Sequence, residues 1–449
     1  MEVVVIETPP LGDRSYLVHD GAHGLLVDPQ RDIDRLERAA AEAGVEVTHV
    51  LETHLHNDYL TGGYAYARKH GAQYLVSALD DVSFERTPVA DGQRFSVGAL
   101  TVTAVATPGH THHHLSYVVE HEGRQAVFSG GSVLYGSVGR TDLLGARDTV
   151  GLSHDQYASA RRLAGEARPD AALYPTHGFG SFCSSGPASD ATESTLGEQL
   201  ESNHVYTDPD EGHFVAELIA NLTAYPSFYA HMAPLNAEGP GEPDLSVPEP
   251  LDPHMLQHRL EAGEWVVDLR SRVAFASDHL RGTASFEYGT NFTNYLGWLF
   301  PYGRTLTLVG ARDDVERAVR DLARIGIERP DAALGEDPAQ LAPGAPASSY
   351  PRLGWAHVAA QLPPEDTVLD VRRREEHDAG HLPGAVNVPL HELLARLDDV
   401  PAGRVWVYCS SGYRASVAAS LLDRAGRAVV LIDDRLSRAA HAGLSLVTA

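Results

Sequence analysis

Short apolar runs alternate with amphipathic stretches over the first half of the chain. Residues 3–6, all Val or Ile, form a β-branched run that stops before Pro9 and Pro10, which predicts an opening strand. Residues 24–27 and 45–51 read as further strands, and the apolar positions of residues 32–43, between them, fall at helical spacing. Leu100–Ala106 is again of strand type. The alternation predicts a mixed α/β domain. Residues 237–253 and 335–351 lose the apolar period and concentrate Pro, Gly and acidic side chains, so both are expected as linkers. They divide the chain into parts 1–236, 254–334 and 352–449.

The second and third parts carry an internal repeat. Val267-Asp268-Leu269-Arg270, followed by His279-Leu280-Arg281-Gly282, recurs as Leu369-Asp370-Val371-Arg372, followed by His381-Leu382-Pro383-Gly384, with the same Asp-to-His separation. A strand, a helix and a Gly turn into another strand would give each copy an α/β unit with a parallel sheet. In the third part Val405–Tyr408 is of strand type and residues 415–425 are helix-compatible, so Cys409-Ser410-Ser411-Gly412-Tyr413-Arg414 is a strand-to-helix loop. Aligning Arg304 with Arg404 sets Val309 opposite Cys409 and puts Gly310-Ala311-Arg312 in place of the loop residues. The first copy therefore has no nucleophile, and a packing or docking role is expected of it.

Composition narrows the chemistry. The net charge of −26, with no Lys or Arg run, repels phosphate backbones and excludes nucleic-acid binding. No apolar stretch approaches the ~18 residues of a membrane span, and the amino terminus lacks a signal-peptide pattern, so a cytoplasmic protein is expected. Only two cysteines occur, Cys183 and Cys409, which rules out a disulfide framework and makes each thiol a candidate for chemistry. At a strand-to-helix loop, backbone N–H groups can converge on the Cys409 sulfur and hold a thiolate or persulfide anion. Gly412 permits the tight turn, and Arg414 can set a cation beside an anionic sulfur donor. The alternative is a buried cysteine that packs as a small hydrophobe.

A second constellation lies near the amino terminus. After the strand at 45–51 comes Thr53-His54-Leu55-His56-Asn57-Asp58-Tyr59, in which two histidines and an aspartate alternate beyond a strand end and can share a pocket. Neutral imidazoles suit zinc or iron. Leu100–Ala106 leads into Thr107-Pro108-Gly109-His110, and a third apolar run leads into Tyr174-Pro175-Thr176-His177-Gly178. The alternative is a set of surface or satisfied core histidines.

The Cys409–Arg414 loop, with Asp370-Val371-Arg372 and His381-Leu382-Pro383-Gly384, resembles the rhodanese family, in which a cysteine, four intervening residues and an arginine form a sulfur cradle. Cysteine phosphatases use a similar loop with one more residue, so the shorter spacing favours sulfur. The histidine segments resemble the metallo-β-lactamase superfamily. That resemblance implies a four-layered αββα sandwich followed by two rhodanese-like α/β domains with parallel sheets, the first inactive. It also implies His54, His56 and His110 as first-site ligands, with Asp58 and His177 in a second site. Tyr59 stands where a second-site histidine belongs, so a single metal is expected.

Persulfide dioxygenases of that superfamily hold one iron through two histidines and an aspartate. Gly139-Arg140-Thr141-Asp142-Leu143 is similar to that branch, but Gly131 stands in place of its ligand aspartate. Fe(II) is the metal the resemblance implies; three imidazoles with an open position would instead describe catalytic Zn(II).

The expected function is persulfide dioxygenase-like oxidation coupled to rhodanese sulfur transfer among thiol persulfide, sulfite and thiosulfate. A glyoxalase II-like thioester hydrolase and a non-catalytic metal domain serving as scaffold are the alternatives, and a homodimer is the default assembly. Four further residues are candidate substrate contacts: Arg140 for a carboxylate or else as a loop anchor through Asp142, His114 as a substrate contact or else a support behind the metal ligands, Tyr229 in the aromatic segment Tyr225 to His231 or else packed against the next domain, and Cys183 as a sulfur acceptor or else an inert buried thiol. His112 and His113 are expected at the surface.

Overall fold

The computed structural model describes residues 1–186 and 191–448. Two compact units are present: Met1–Asp244 with Asp321–Glu328, and Leu245–Arg320 with Arg329–Ala449. The first holds two sheets. One runs in chain order through six strands, Glu2–Thr8, Asp13–His19, His23–Val27, Glu46–Leu51, Gln73–Ser77 and Thr87–Val89. Its first three strands pair antiparallel and the rest join in parallel. The other has five strands, ordered Ala172–Pro175, Arg124–Gly130, Leu115–His121, Leu100–Ala106 and Arg94–Val97, antiparallel except for the first pair.

Side-chain alternation explains the layering, because successive residues of a strand face opposite sides. Tyr16, Val18, Leu25 and Val27 point inward against Val102, Tyr117, Val119 and Phe128 of the second sheet. The residues between them, Leu17 and Leu26, point outward onto Leu36 and Ala40 of the helix Asp34–Ala43 and onto Tyr66 of the helix Gly63–His70. On the far side Val105, Val118, Val127 and Leu173 cover Tyr157, Ala160 and Leu163 of the helix Thr149–Glu166. Both sheets are thus apolar on both faces, and an αββα sandwich results.

In the second unit the strands of two parallel sheets follow the repeat. The first is ordered Ala284–Ser285, Trp265–Asp268, Leu306–Gly310, Asp331–Leu334; the second is Arg352–Leu353, Val429–Ile432, Val405–Tyr408, Thr367–Asp370, Val386–Asn387. In both copies the repeated Asp ends its strand and takes a fork from the Arg two residues on: Arg270 Nη2 reaches Asp268 at 2.7 Å and Arg372 Nη2 reaches Asp370 at 2.6 Å. Asp370 is also bonded by Tyr408 Oη at 2.8 Å.

The register corrects the alignment drawn from Arg304. Asp268 pairs with Val309 as Asp370 pairs with Tyr408, so Gly310, not Val309, occupies the place of Cys409. After Gly310 only Ala311 intervenes before the helix Arg312–Arg324, whereas three residues separate Cys409 from the helix Tyr413–Arg424. The first copy therefore lacks the cradle loop as well as the thiol. Residues 335–351 are also more ordered than a linker: they hold the helix Pro338–Leu341 and the strand Ala347–Ser348, which pairs with His279–Leu280. The unit boundaries leave 335–351 inside the second unit.

Candidate metal centre and sulfur loop

Four strands of the first unit end at one edge of the sandwich, and three of them deliver histidines there. His54 follows Glu46–Leu51, His110 follows Leu100–Ala106, the Gly130-Gly131 pair ends Arg124–Gly130, and His177 follows Ala172–Pro175. All three imidazoles are buried. Each is held through Nδ1. Thr53 Oγ1 gives its proton to Asp28 Oδ2 at 2.7 Å and accepts the His54 Nδ1–H at 2.9 Å. His110 Nδ1–H donates to the Arg140 carbonyl at 2.8 Å. His177 Nδ1–H is shared between Asp13 at 2.9 Å and Asp58 at 3.1 Å.

These bonds leave the Nε2 atoms turned inward. His54 Nε2 and His177 Nε2 are 3.4 Å apart, and the buried His110 Nε2 has no hydrogen-bond partner. Nor have His56 Nδ1 and Asp58 Oδ1. Buried polar atoms without partners are costly, and this donor set fits a divalent cation. Among the described residues, donor atoms of His54, His110 and His177 lie within 4.8 Å of one another, as do those of His56, Asp58 and His177. The first-site trio expected by resemblance, His54 with His56 and His110, is not one of these groups. His56 turns Nε2 toward Tyr59 Oη at 3.0 Å, Glu52 at 3.2 Å and Asp28 at 3.3 Å.

Electrostatics divides the imidazoles. Burial and the neighbouring His177 push His110 down to about 3. Burial, with His56 and His110 nearby, also holds His54 well below its usual value. Burial disfavours a cation at His177 too, but the Asp58 and Asp13 carboxylates outweigh it and raise His177 to about 10. At His56 the same opposition, with Asp28 and Glu52 prevailing over burial, raises the imidazole to about 9.

The place of the absent aspartate is filled. A Cβ on Gly131 would lie 2.6 Å from His110 Cγ and 2.9 Å from its Nε2. The ring also lies against Gly139, whose Cβ would meet His110 Nδ1 at 2.7 Å. Two glycines thus sandwich the imidazole. His114 holds this backbone: its Nε2 accepts the Gly131 N–H at 3.0 Å and its Nδ1 bonds Thr107 Oγ1 at 2.9 Å.

The candidate substrate contacts are mostly spent on structure. Arg140 is buried, forks onto Asp142 at 2.7 and 2.8 Å, and donates to the carbonyls of Phe182 and Thr223. The loop-anchor reading of Arg140 therefore replaces the substrate-carboxylate one. His114 has both ring nitrogens engaged, which matches the supporting role expected of it rather than substrate contact. Cys183 and Tyr229 are buried, and the thiol adjoins Asp58 and Tyr229. Burial, reinforced by Asp58, pushes the Cys183 thiol well up, which keeps it protonated. His112 and His113 are half-exposed near Asp148 and Asp80.

In the second unit, Cys409 is buried at the end of Val405–Tyr408 and its Sγ accepts the Gly412 N–H at 3.1 Å. Gly412 has φ 98° and directs its missing Cβ at the Asp433 carboxylate, so no other residue fits there without strain. Ser410 and Ser411 are exposed, and Tyr413 is buried at the helix start. Arg414 forks onto Glu376 at 2.5 and 2.7 Å and bonds Ser410 Oγ at 3.0 Å. Although burial opposes its charge, Glu376 is held down at about 2 by Arg414. Sequence reasoning missed Glu376 and Asp13, which meet Arg414 and His177 only in three dimensions.

Comparison with known proteins agrees with this division. Residues 9–177 match the family model of the metallo-beta-lactamase superfamily, and residues 356–436 match that of the rhodanese-like domain. The chain thus carries a metallo-β-lactamase-fold domain followed by a rhodanese-like domain. An atrochrysone carboxyl ACP thioesterase of Aspergillus fumigatus is 35% identical over 133 residues, which are 27% of this chain and 30% of that protein. The lactamase-like protein notP of Aspergillus sp. is 34% identical over 129 residues, 27% of this chain and 39% of that protein. The chain spans 30 to 50% of the length of such curated relatives. A crystal structure of a metallo-beta-lactamase from Staphylococcus aureus is 26% identical, covers 74% of this chain and 99% of its own, and has a TM-score of 0.67. Among the described residues no helix is long and apolar enough to cross a membrane.

Proposed function

We propose that this protein is an enzyme of thiol-sulfur metabolism, in which Cys409 carries sulfane sulfur and the metal-dependent domain works on a small-thiol derivative that supplies or receives it. The observation that carries the reading is the loop at Cys409: a sulfur at a strand end, an amide N–H aimed at it from the start of the helix Tyr413–Arg424, and a guanidinium fixed beside it by Glu376. Such N–H groups and a nearby cation favour a sulfur anion. The Cys409 thiolate attacks the outer sulfur of thiosulfate; the S–S bond breaks and sulfite leaves with the electron pair. A nucleophile such as cyanide or sulfite then takes the sulfane sulfur and restores the thiolate. Thiosulfate-to-cyanide transfer by the full chain, and its loss in Cys409→Ser, tests this. Transfer that survives the substitution would move the reaction to Cys183.

For the metal-dependent domain, persulfide oxidation is supported by the presence of sulfur chemistry on the same chain, which puts the product of one site near the other at high effective concentration. Iron oxygenation, however, favours two histidines and a carboxylate, and residue 131 offers no donor. That observation favours the second reading, hydrolysis of a thioester, and the thioesterase names of the curated relatives lend it support. When bound, a divalent ion would polarise the thioester carbonyl and lower the pKa of a water ligand. Asp13, Thr53 and the Arg140 carbonyl orient the imidazoles, while Asp58 stands ready to accept a proton through its unpartnered Oδ1. Oxygen uptake with a thiol persulfide, beside thiol release from an acyl thioester, separates the two reactions in protein loaded with iron or zinc.

A further inference from the structure

We infer that the resident metal of the first unit is held by three imidazoles, the Nε2 atoms of His54, His110 and His177, in a site suited to a borderline divalent ion such as Zn(II) or Co(II). The inference rests on the reading of this domain as metal-dependent and names its ligand set.

Hydrogen bonding decides the tautomers. A carbonyl can only accept, so the proton of His110 is on Nδ1 and its Nε2 presents a lone pair. Thr53 Oγ1 has given its own proton to Asp28, so His54 also carries its proton on Nδ1. The carboxylates of Asp13 and Asp58 require the same of His177. Two lone pairs, those of His54 and His110, therefore converge in a buried space, and His177 Nε2 supplies the third when binding of the ion releases its proton. His54 Nε2 and His177 Nε2, at 3.4 Å, are farther apart than a good N–H···N bond. The separation matches the ~3.3 Å between two nitrogens that bind one tetrahedral zinc at ~2.05 Å.

Each ligand in this set has its outer partner, a hydroxyl, a carbonyl and a carboxylate pair, as metal-bound histidines require. His56 does not share the arrangement. Its Nε2 is committed to Glu52, Asp28 and Tyr59, and although its ring lies 4.1 Å from that of His54, it groups as a donor with Asp58 and His177 and not with His54 and His110. Gly131 explains the departure from a two-histidine, one-carboxylate centre. With no side chain at 131, the His110 ring rests over the backbone between Gly131 and Gly139, and the third donor, His177, comes from the same end of the neighbouring parallel strand.

The test uses the full chain loaded with Zn(II). Long-range ¹H–¹⁵N NMR of the histidines should show three rings bound through Nε2, with one zinc per chain by metal analysis. His177→Gln should lower zinc affinity by more than about 100-fold, and Asp13→Asn, which only positions His177, by about 10- to 100-fold, each checked for folding by circular dichroism. A ring bound through Nδ1 in the native chain, or native affinity in folded His177→Gln, overturns the ligand set while leaving a metal-dependent domain. A native chain that takes up neither Zn(II) nor Co(II) overturns both. The native-chain NMR result stands even where a variant fails to fold.

Discussion

The missing side chain at residue 131 shapes the pocket as much as any histidine does. Since the His110 ring lies where a Cβ would go, Gly131→Asp cannot simply add a carboxylate: it must displace a buried imidazole whose other edge faces Gly139. We expect a loss of about 1–3 kcal/mol from overpacking together with weaker metal binding, read by thermal unfolding and metal titration. A variant as stable as the parent and tighter for iron would show that the ring moves freely. At the sulfur loop, Glu376 has a folded-state value of about 2 against an ordinary 4.5. Its stabilisation is therefore full above about 4.5 and is lost as the pH falls toward 2. Glu376→Gln should remove about 2 kcal/mol at pH 7, after allowance for solvent screening, and flatten the acid limb of stability against pH. An unchanged acid limb would mean that the Arg414 pair contributes nothing.

At the level of elements, the two copies of the repeat share a device that has nothing to do with cysteine. Asp268 and Asp370 each end a central strand of a parallel sheet, are almost fully buried, and take the fork of an Arg two residues later. Removing one partner of such a pair leaves an uncompensated buried charge. Asp268→Asn and Asp370→Asn are therefore expected to cost alike, about 3 kcal/mol each, in denaturant unfolding. A loss confined to Asp370→Asn would mark its motif as specific to the copy with the nucleophile. The repeat was legible because its Asp, Arg, His and Gly recur at fixed spacing. Its register was not, since an offset of one residue leaves the apolar run intact and only the pairing of Asp268 with Val309 resolves it.

For the whole molecule, the metal-dependent domain and the sulfur transfer proposed for Cys409 belong to separate compact units. A chelator should lower the unfolding temperature of the first unit, because an ion that binds only the folded state at 1,000 times its Kd contributes about 4 kcal/mol. The same treatment should leave thiosulfate-to-cyanide transfer unchanged, and a transfer rate that falls with the metal would refute the independence of the two sites. By itself the sequence determined the α/β class, the histidine segments, the cysteine loop and the want of a donor at residue 131, since each is written in periodicity or in local spacing. Only the tertiary structure decided which donors meet. His177 joins His54 and His110, Asp13 holds His177, and Glu376 holds Arg414, because these contacts span 38 to 164 residues of chain and arise where strand ends converge. The space at Gly131 was settled the same way, by the packing of a ring that comes from another strand.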